Sequence, residues 1–262
     1  MSAAAAYSRE KTLAVGNVGL ATRSAVSSTT GFKAFLSRYF YFCMALVMSG
    51  LVVWGFSRTV SANLFHGNPP RPLLLWFHGA AFSAWLVFFT AQSALVRVRK
   101  VSVHRTLGWF GAGLATVMVV LGFTIAVIMT RFDSTVLHLK DVDSFLSIPF
   151  TDMIVFGTLM ALAIYWRKRP EYHRRLVFIA TCELMDAAIG RFDFWYNHSI
   201  FYLGLDLLIV AGIVRDLMVD GRINRVYLYV LPPMIVLQGL AVYLWRVNPS
   251  WWQGITHAIL GW

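Results

Sequence analysis

The residues able to do chemistry are few, and their spacing groups them. Glu183, Asp186 and Gly190 follow a three-then-four step that stacks them on one side of a helix, with Arg191 next in the chain. Asp152 and Asp206 lie in other apolar stretches and can meet this face if the helices run antiparallel. Carboxylates so close in a low dielectric cannot all be ionised. At least one is expected to hold a proton unless Arg191 or a bound cation compensates, which is a proton-handling or cation-binding signature. The plainer alternative is that Asp152, Asp206 and Arg191 tie helices together through buried pairs. Histidines form a second group. His78 and His198 sit toward one end of their segments, and His104 and His173 toward the other end of theirs, on four separate stretches of chain. Two pairs at two depths are what two stacked b-type haems require, with neutral imidazoles ligating each iron and arginines meeting the propionates.

Positioning these groups falls to long oily segments. Hydrophobic residues make up 58% of the chain and charged residues 13%, a balance that a water-exposed surface cannot accommodate. Apolar stretches run over 39–56, 73–96, 107–129, 145–166, 176–196, 200–214 and 226–245. These predict an all-α polytopic bundle of about seven membrane helices. The fifth is weakened by Glu183, Asp186 and Arg191, and the sixth is short and carries Asp206. Alternate connections hold 17 of the 23 basic residues, among them Arg97, Arg99, Lys100, Arg105, Arg174, Arg175 and Arg215. That asymmetry predicts the amino terminus inside and the carboxyl terminus outside. On this topology His78, His198 and the carboxyl groups share the outer half, whereas His104 and His173 mark the inner boundary. Residues 1–34 are expected to form a flexible cytoplasmic tail, 35–246 the helix bundle and 247–262 a short outer segment.

The net charge of +11 comes from these short basic connections, so it reads as a topology signal and not as a nucleic-acid footprint. Cys43 and Cys182 lie within apolar runs without CxxC spacing and read as small buried hydrophobes. Gln92 and Gln238 are expected to hydrogen-bond between helices. Pro149 either opens the helix near Asp152 or begins it, and Pro232-Pro233 should kink or delay the last segment. No phosphate loop, Ser-His-Asp order or HExxH appears, and the last segment lacks the lysine that a retinal Schiff base needs.

Each of the second and third basic connections places a His-Arg pair at a helix start, His104-Arg105 and His173-Arg174. Together with His78-x13-Gln92, Leu107-Gly108 after the first pair, Arg175-Leu176 after the second, and Arg191, this pattern over residues 73–192 resembles a bacterial family of multi-pass membrane proteins defined by sequence pattern and not by activity. The histidine arrangement is also loosely similar to di-haem b-type membrane cytochromes, except that here the inner histidines lie at the boundary and not a full turn inside. The resemblance implies membrane helices in the bacterial inner membrane and, as cofactor, haem b. Function is thus expected along one of three lines: a haem-binding transmembrane redox protein, a proton-coupled transporter or small-molecule binder, or an accessory subunit of a larger membrane complex. The partners expected are the lipid bilayer and other membrane subunits.

Overall fold

A computed structural model describes residues 31–262, and all its regular structure is helical. Most of the expected tail lies outside the described residues. Its last residues, Gly31 to Ala34, do not: they belong to helix α1 (Gly31–Ser57), which begins well ahead of the apolar run that signalled it. Five helices are long and apolar enough to cross a bilayer: α1, α2 (Leu74–Arg97), α3 (Val101–Thr135), the span Asp143–Tyr165 and α9 (Arg225–Val247). The span Asp143–Tyr165 comprises a short 3-10 turn, Asp143–Leu146, and helix α4 (Ser147–Tyr165). At 35 residues α3 is about 52 Å long, well beyond the roughly 30 Å of a hydrocarbon core. Its last turn is correspondingly polar, and Asp133 there accepts a 2.9 Å bond from Arg71.

The two segments weakened by charge differ from the other five. The sixth is a continuous helix, α8 (Phe201–Asp220), longer than its apolar run because its final turns carry Arg215, Asp216 and Asp220. The fifth is not one helix. It breaks into α5 (Pro170–Glu183), α6 (Asp186–Ile189) and α7 (Asp193–Asn197). The prolines behave simply: Pro149 falls in the first turn of α4, where its missing N–H costs nothing, and α9 runs through Pro232 and Pro233 without a delayed start. Asn224 caps α9 by accepting the Val226 N–H at 3.0 Å. The carboxyl-terminal segment forms helix α10 (Ser250–Leu260), which buries Trp252 and Leu260 and is held by Thr256 donating to Asp143 at 2.9 Å.

Helices α4 and α5 form the centre. α4 packs on α3, α5 and α9, and α5 on α8 and α9. Phe156, Leu176, Phe178 and Ile179 are wholly buried between them. α2 joins through Trp85, whose ring meets Phe156 edge-on and whose Nε1–H donates to Thr181 at 3.3 Å. α1 closes the other flank: Phe40 and Tyr41 both pack edge-on to Phe178. Farther along, Gly55 lies so close to α6 that a Cβ there would come within 2.5 Å of the Ala188 carbonyl oxygen. Exposed apolar side chains such as Val53, Val87, Val120 and Val236 face outward around this core, the reverse of a water-soluble surface.

Candidate functional site

The break between α5 and α6 falls at the acidic pair. Leu184 and Met185 take φ/ψ of −71°/−6° and −80°/−16°, and the Met185 N–H bonds back to Cys182 O at 2.9 Å, three residues away instead of four. In such a tightened turn side chains three apart eclipse one another, so Glu183 and Asp186 project together. The continuous three-then-four stack expected through Gly190 does not form. Gly190 instead ends α6 beside Phe201.

Three further elements close on this turn. Asp152, from α4, is 5% exposed and within electrostatic range of both Glu183 and Asp186. Tyr202, from α8, donates to Asp152 Oδ1 at 2.6 Å. Gln238, from α9, extends Nε2 to Glu183 Oε2 at 3.5 Å and to Asp206 Oδ1 at 3.4 Å, both at the long limit of a hydrogen bond. Asp152, Glu183, Asp186 and Asp206 therefore converge in the half of the bundle away from its basic end. Asp206 is the most accessible of them, being only partly buried. Glu183 is 0% exposed, and its Oε1 is buried without a hydrogen-bond partner.

Among the described residues none of these four carboxyl groups forms an ion pair. Arg191, the nearest cation in sequence, lies within electrostatic range of Asp186 but spends its hydrogen bonds elsewhere. Its Nε donates to Thr59 Oγ1 at 2.9 Å, its Nη1 to the Ala187 carbonyl, and its guanidinium lies 3.6 Å from the Phe56 ring centroid. It fastens the broken segment to the end of α1 and leaves the cluster without a paired cation.

The histidines separate. His78 stacks on Phe82 of its own helix, with ring centroids 4.1 Å apart, and its buried Nδ1 has no partner. His198 is exposed at the end of α7, where Nδ1 meets its own Phe194 carbonyl at 2.8 Å. Among the described residues their rings contact Phe82 and Phe194 respectively and not each other, so the His78–His198 pair is not brought together. The inner pair is. The His104 and His173 rings approach edge to face with centroids 6.2 Å apart.

Sequence reasoning missed Tyr202, which a hydroxyl four residues before Asp206 on a shared helix face could have signalled. Gln238 was expected to hydrogen-bond between helices and does so, reaching carboxyl groups on α5 and α8. A second buried polar system was missed altogether, because its arginines were counted as topology signals. Arg175, 1% exposed, makes a two-pronged pair with Asp216 at 2.7 and 2.8 Å and also reaches Glu171 at 2.6 Å and Asp220 at 3.0 Å. Arg215 adds bonds to Asp216 at 2.9 Å and Asp220 at 2.7 Å. This network locks the basic end of α5 to that of α8. Partial burial raises the Glu171 carboxyl, but the bond from Arg175 and the charges of Arg174, Arg175 and Arg215 more than offset this, so it titrates below its usual range.

No family model, no curated protein and no solved structure matches the chain.

Proposed function

We propose that this is a bacterial inner-membrane protein of seven crossings, amino terminus inside, that binds a proton or a small cation in its carboxyl cluster and couples that binding to transport or to recognition of a cationic small molecule. In this reading the five long apolar helices are joined by α8 and by the broken α5–α6–α7 segment, which together complete the seven. The single observation that carries the reading is Glu183: fully buried, one oxygen unpartnered, and close to three further carboxyl groups, with no ion pair to any of the four among the described residues. Buried ionisable groups without a partner are expensive in a membrane protein and are retained where protons or ions pass. A helix interrupted at such a position is the arrangement by which membrane carriers present ligand groups inside the bilayer.

The test is thermal unfolding of detergent-solubilised protein across a pH series with and without Na+, together with labelling by a lipid-soluble carbodiimide that attacks protonated carboxyl groups. The expected result is labelling of Glu183, protection by Na+ or by high pH, and a midpoint whose response to Na+ and to pH is smaller in Glu183→Gln than in the native protein. Absence of labelling, with equal pH and Na+ responses in the native protein and in Glu183→Gln, would overturn the reading.

A further inference from the structure

The inner histidine pair belongs to none of the machinery above, and its geometry is that of a half-built metal site. His104 sits in the first turn of α3 and His173 in the first turn of α5, so two separate helices deliver the rings to one place at the basic end. Their centroids are 6.2 Å apart with planes 76° from parallel. Two imidazoles sharing one metal through bonds of about 2.0–2.1 Å hold their centroids roughly 6 Å apart, with no requirement that the planes be parallel. The His173 ring is already oriented, because its Nδ1 meets the Ala163 carbonyl oxygen at 2.9 Å. A backbone carbonyl on one ring nitrogen is the usual device that fixes a ligating histidine's tautomer and leaves the other nitrogen's lone pair free. His104 is less committed, since its Nδ1 is buried and has no partner.

Two further features narrow the occupant. Among the described residues no group of three or more His, Cys, Asp or Glu side chains is arranged to hold a metal ion, so a metal held by this pair would need its remaining ligands from another source. A porphyrin provides four in-plane nitrogens and leaves two axial sites for imidazoles, whereas a bare ion must complete its shell with water. At the same end of the bundle the Nε atoms of Arg97 and Arg174 are buried without partners, donors that suit a ligand's carboxylates and are idle toward a bare ion.

We propose that His104 and His173 are paired ligands to one transition-metal centre at the basic face, carried as an iron porphyrin. This inference is independent of the carboxyl cluster: either can fail while the other stands.

The experiment titrates the purified, detergent-solubilised full chain with haemin and, separately, with Zn2+ and Cu2+. Haemin is read by its optical and electron-spin-resonance spectra, and the bare ions by calorimetry. Native protein and His198→Ala are expected to give the same low-spin, two-imidazole haem spectrum at one haem per chain. His104→Ala and His173→Ala are expected to lose that spectrum and to bind at least about tenfold more weakly. Should either variant be poorly folded, His104→Gly with free imidazole added to fill the vacated position is the second measurement, and recovery of the low-spin spectrum supports the pair. Saturable Zn2+ or Cu2+ binding that needs both histidines, with no specific haem spectrum, would keep the ligand pair and overturn the porphyrin. Neither haem nor metal binding, or binding unchanged in both variants, would overturn the site and leave His104 and His173 as an aromatic contact.

Discussion

Two buried polar systems lie along α5, and they are built on opposite plans. At its basic end Arg175 and Arg215 meet Asp216, Asp220 and Glu171 in short bonds, and cations balance anions three to three once Arg174 is included. At its other end Asp152, Glu183, Asp186 and Asp206 lie together, Tyr202 bonding Asp152 and Gln238 reaching Glu183 and Asp206, without an ion pair among the described residues. Neutralised charge can be left in a low dielectric for the life of the protein, since each group already has its partner. Unneutralised carboxyl groups demand something mobile, and a proton or a cation is what they are chemically suited to take. The backbone follows the same division: α5 is regular beside the network and gives way to a tightened turn beside the cluster.

Breaking a balanced pair should be the costliest change in the molecule. Arg175→Met takes the two-pronged partner from buried Asp216 and leaves it only the single bond from Arg215, and a loss of about 3–5 kcal/mol is expected, read as a lower unfolding midpoint or failure to elute as a monodisperse peak. The double variant Arg175→Met with Asp216→Leu should recover most of that loss, and no recovery would mean that the network does more than balance charge. Gly55→Ala asks whether the broken segment depends on the close approach of α1. Its methyl group has only the Ala188 backbone to push against, so a cost of about 1–3 kcal/mol is expected, together with altered carbodiimide labelling of Glu183 and an intact basic end. Tyr202→Phe removes the short bond to Asp152 and should cost about 1–2 kcal/mol by thermal unfolding.

Neutralising the unbalanced cluster should behave in the opposite sense. Glu183→Gln is expected to be neutral or stabilising by up to about 1–2 kcal/mol, because a neutral amide needs neither a proton nor a cation to remain buried there. A destabilisation as large as that of Arg175→Met would erase the distinction between the two regions. The smallest effect belongs to Glu171, a half-exposed carboxylate whose titration is depressed by its arginines. A folded-state pKa below the unfolded one contributes stability above the unfolded value and loses it as pH falls through the folded value. Unfolding followed from neutral pH downward should therefore show a slightly steeper decline below about 4.5 in the native protein than in Glu171→Gln.

The apolar runs announced α1, α2, α3, α4 and α9 because length and composition alone decide whether a helix can lie in lipid. They also implied the common level of Asp152, Glu183, Asp186 and Asp206, which follows once antiparallel segments are counted from their ends. The interrupted fifth segment was signalled only as weakness, since a local tightening at Leu184 and Met185 reflects what α4, α8 and α9 place against it and not the propensity of those residues. For the histidines the sequence supplied depth alone, and depth is satisfied equally by rings that meet and rings that do not.

What the chain determined by itself was therefore one-dimensional: which stretches are oily enough to be helices, which connections are basic, and how far along each helix a titratable group sits. Rotation about the helix axes belonged to the tertiary structure. It gave Arg191 hydrogen bonds to Thr59 and the Ala187 carbonyl and none to the acids, set Arg175 against Asp216, brought His104 to His173, and turned His78 onto Phe82 and His198 onto the Phe194 carbonyl. The physical reason is that partners across a bundle are chosen by how side chains of different helices interlock, and no spacing within a single helix encodes that choice.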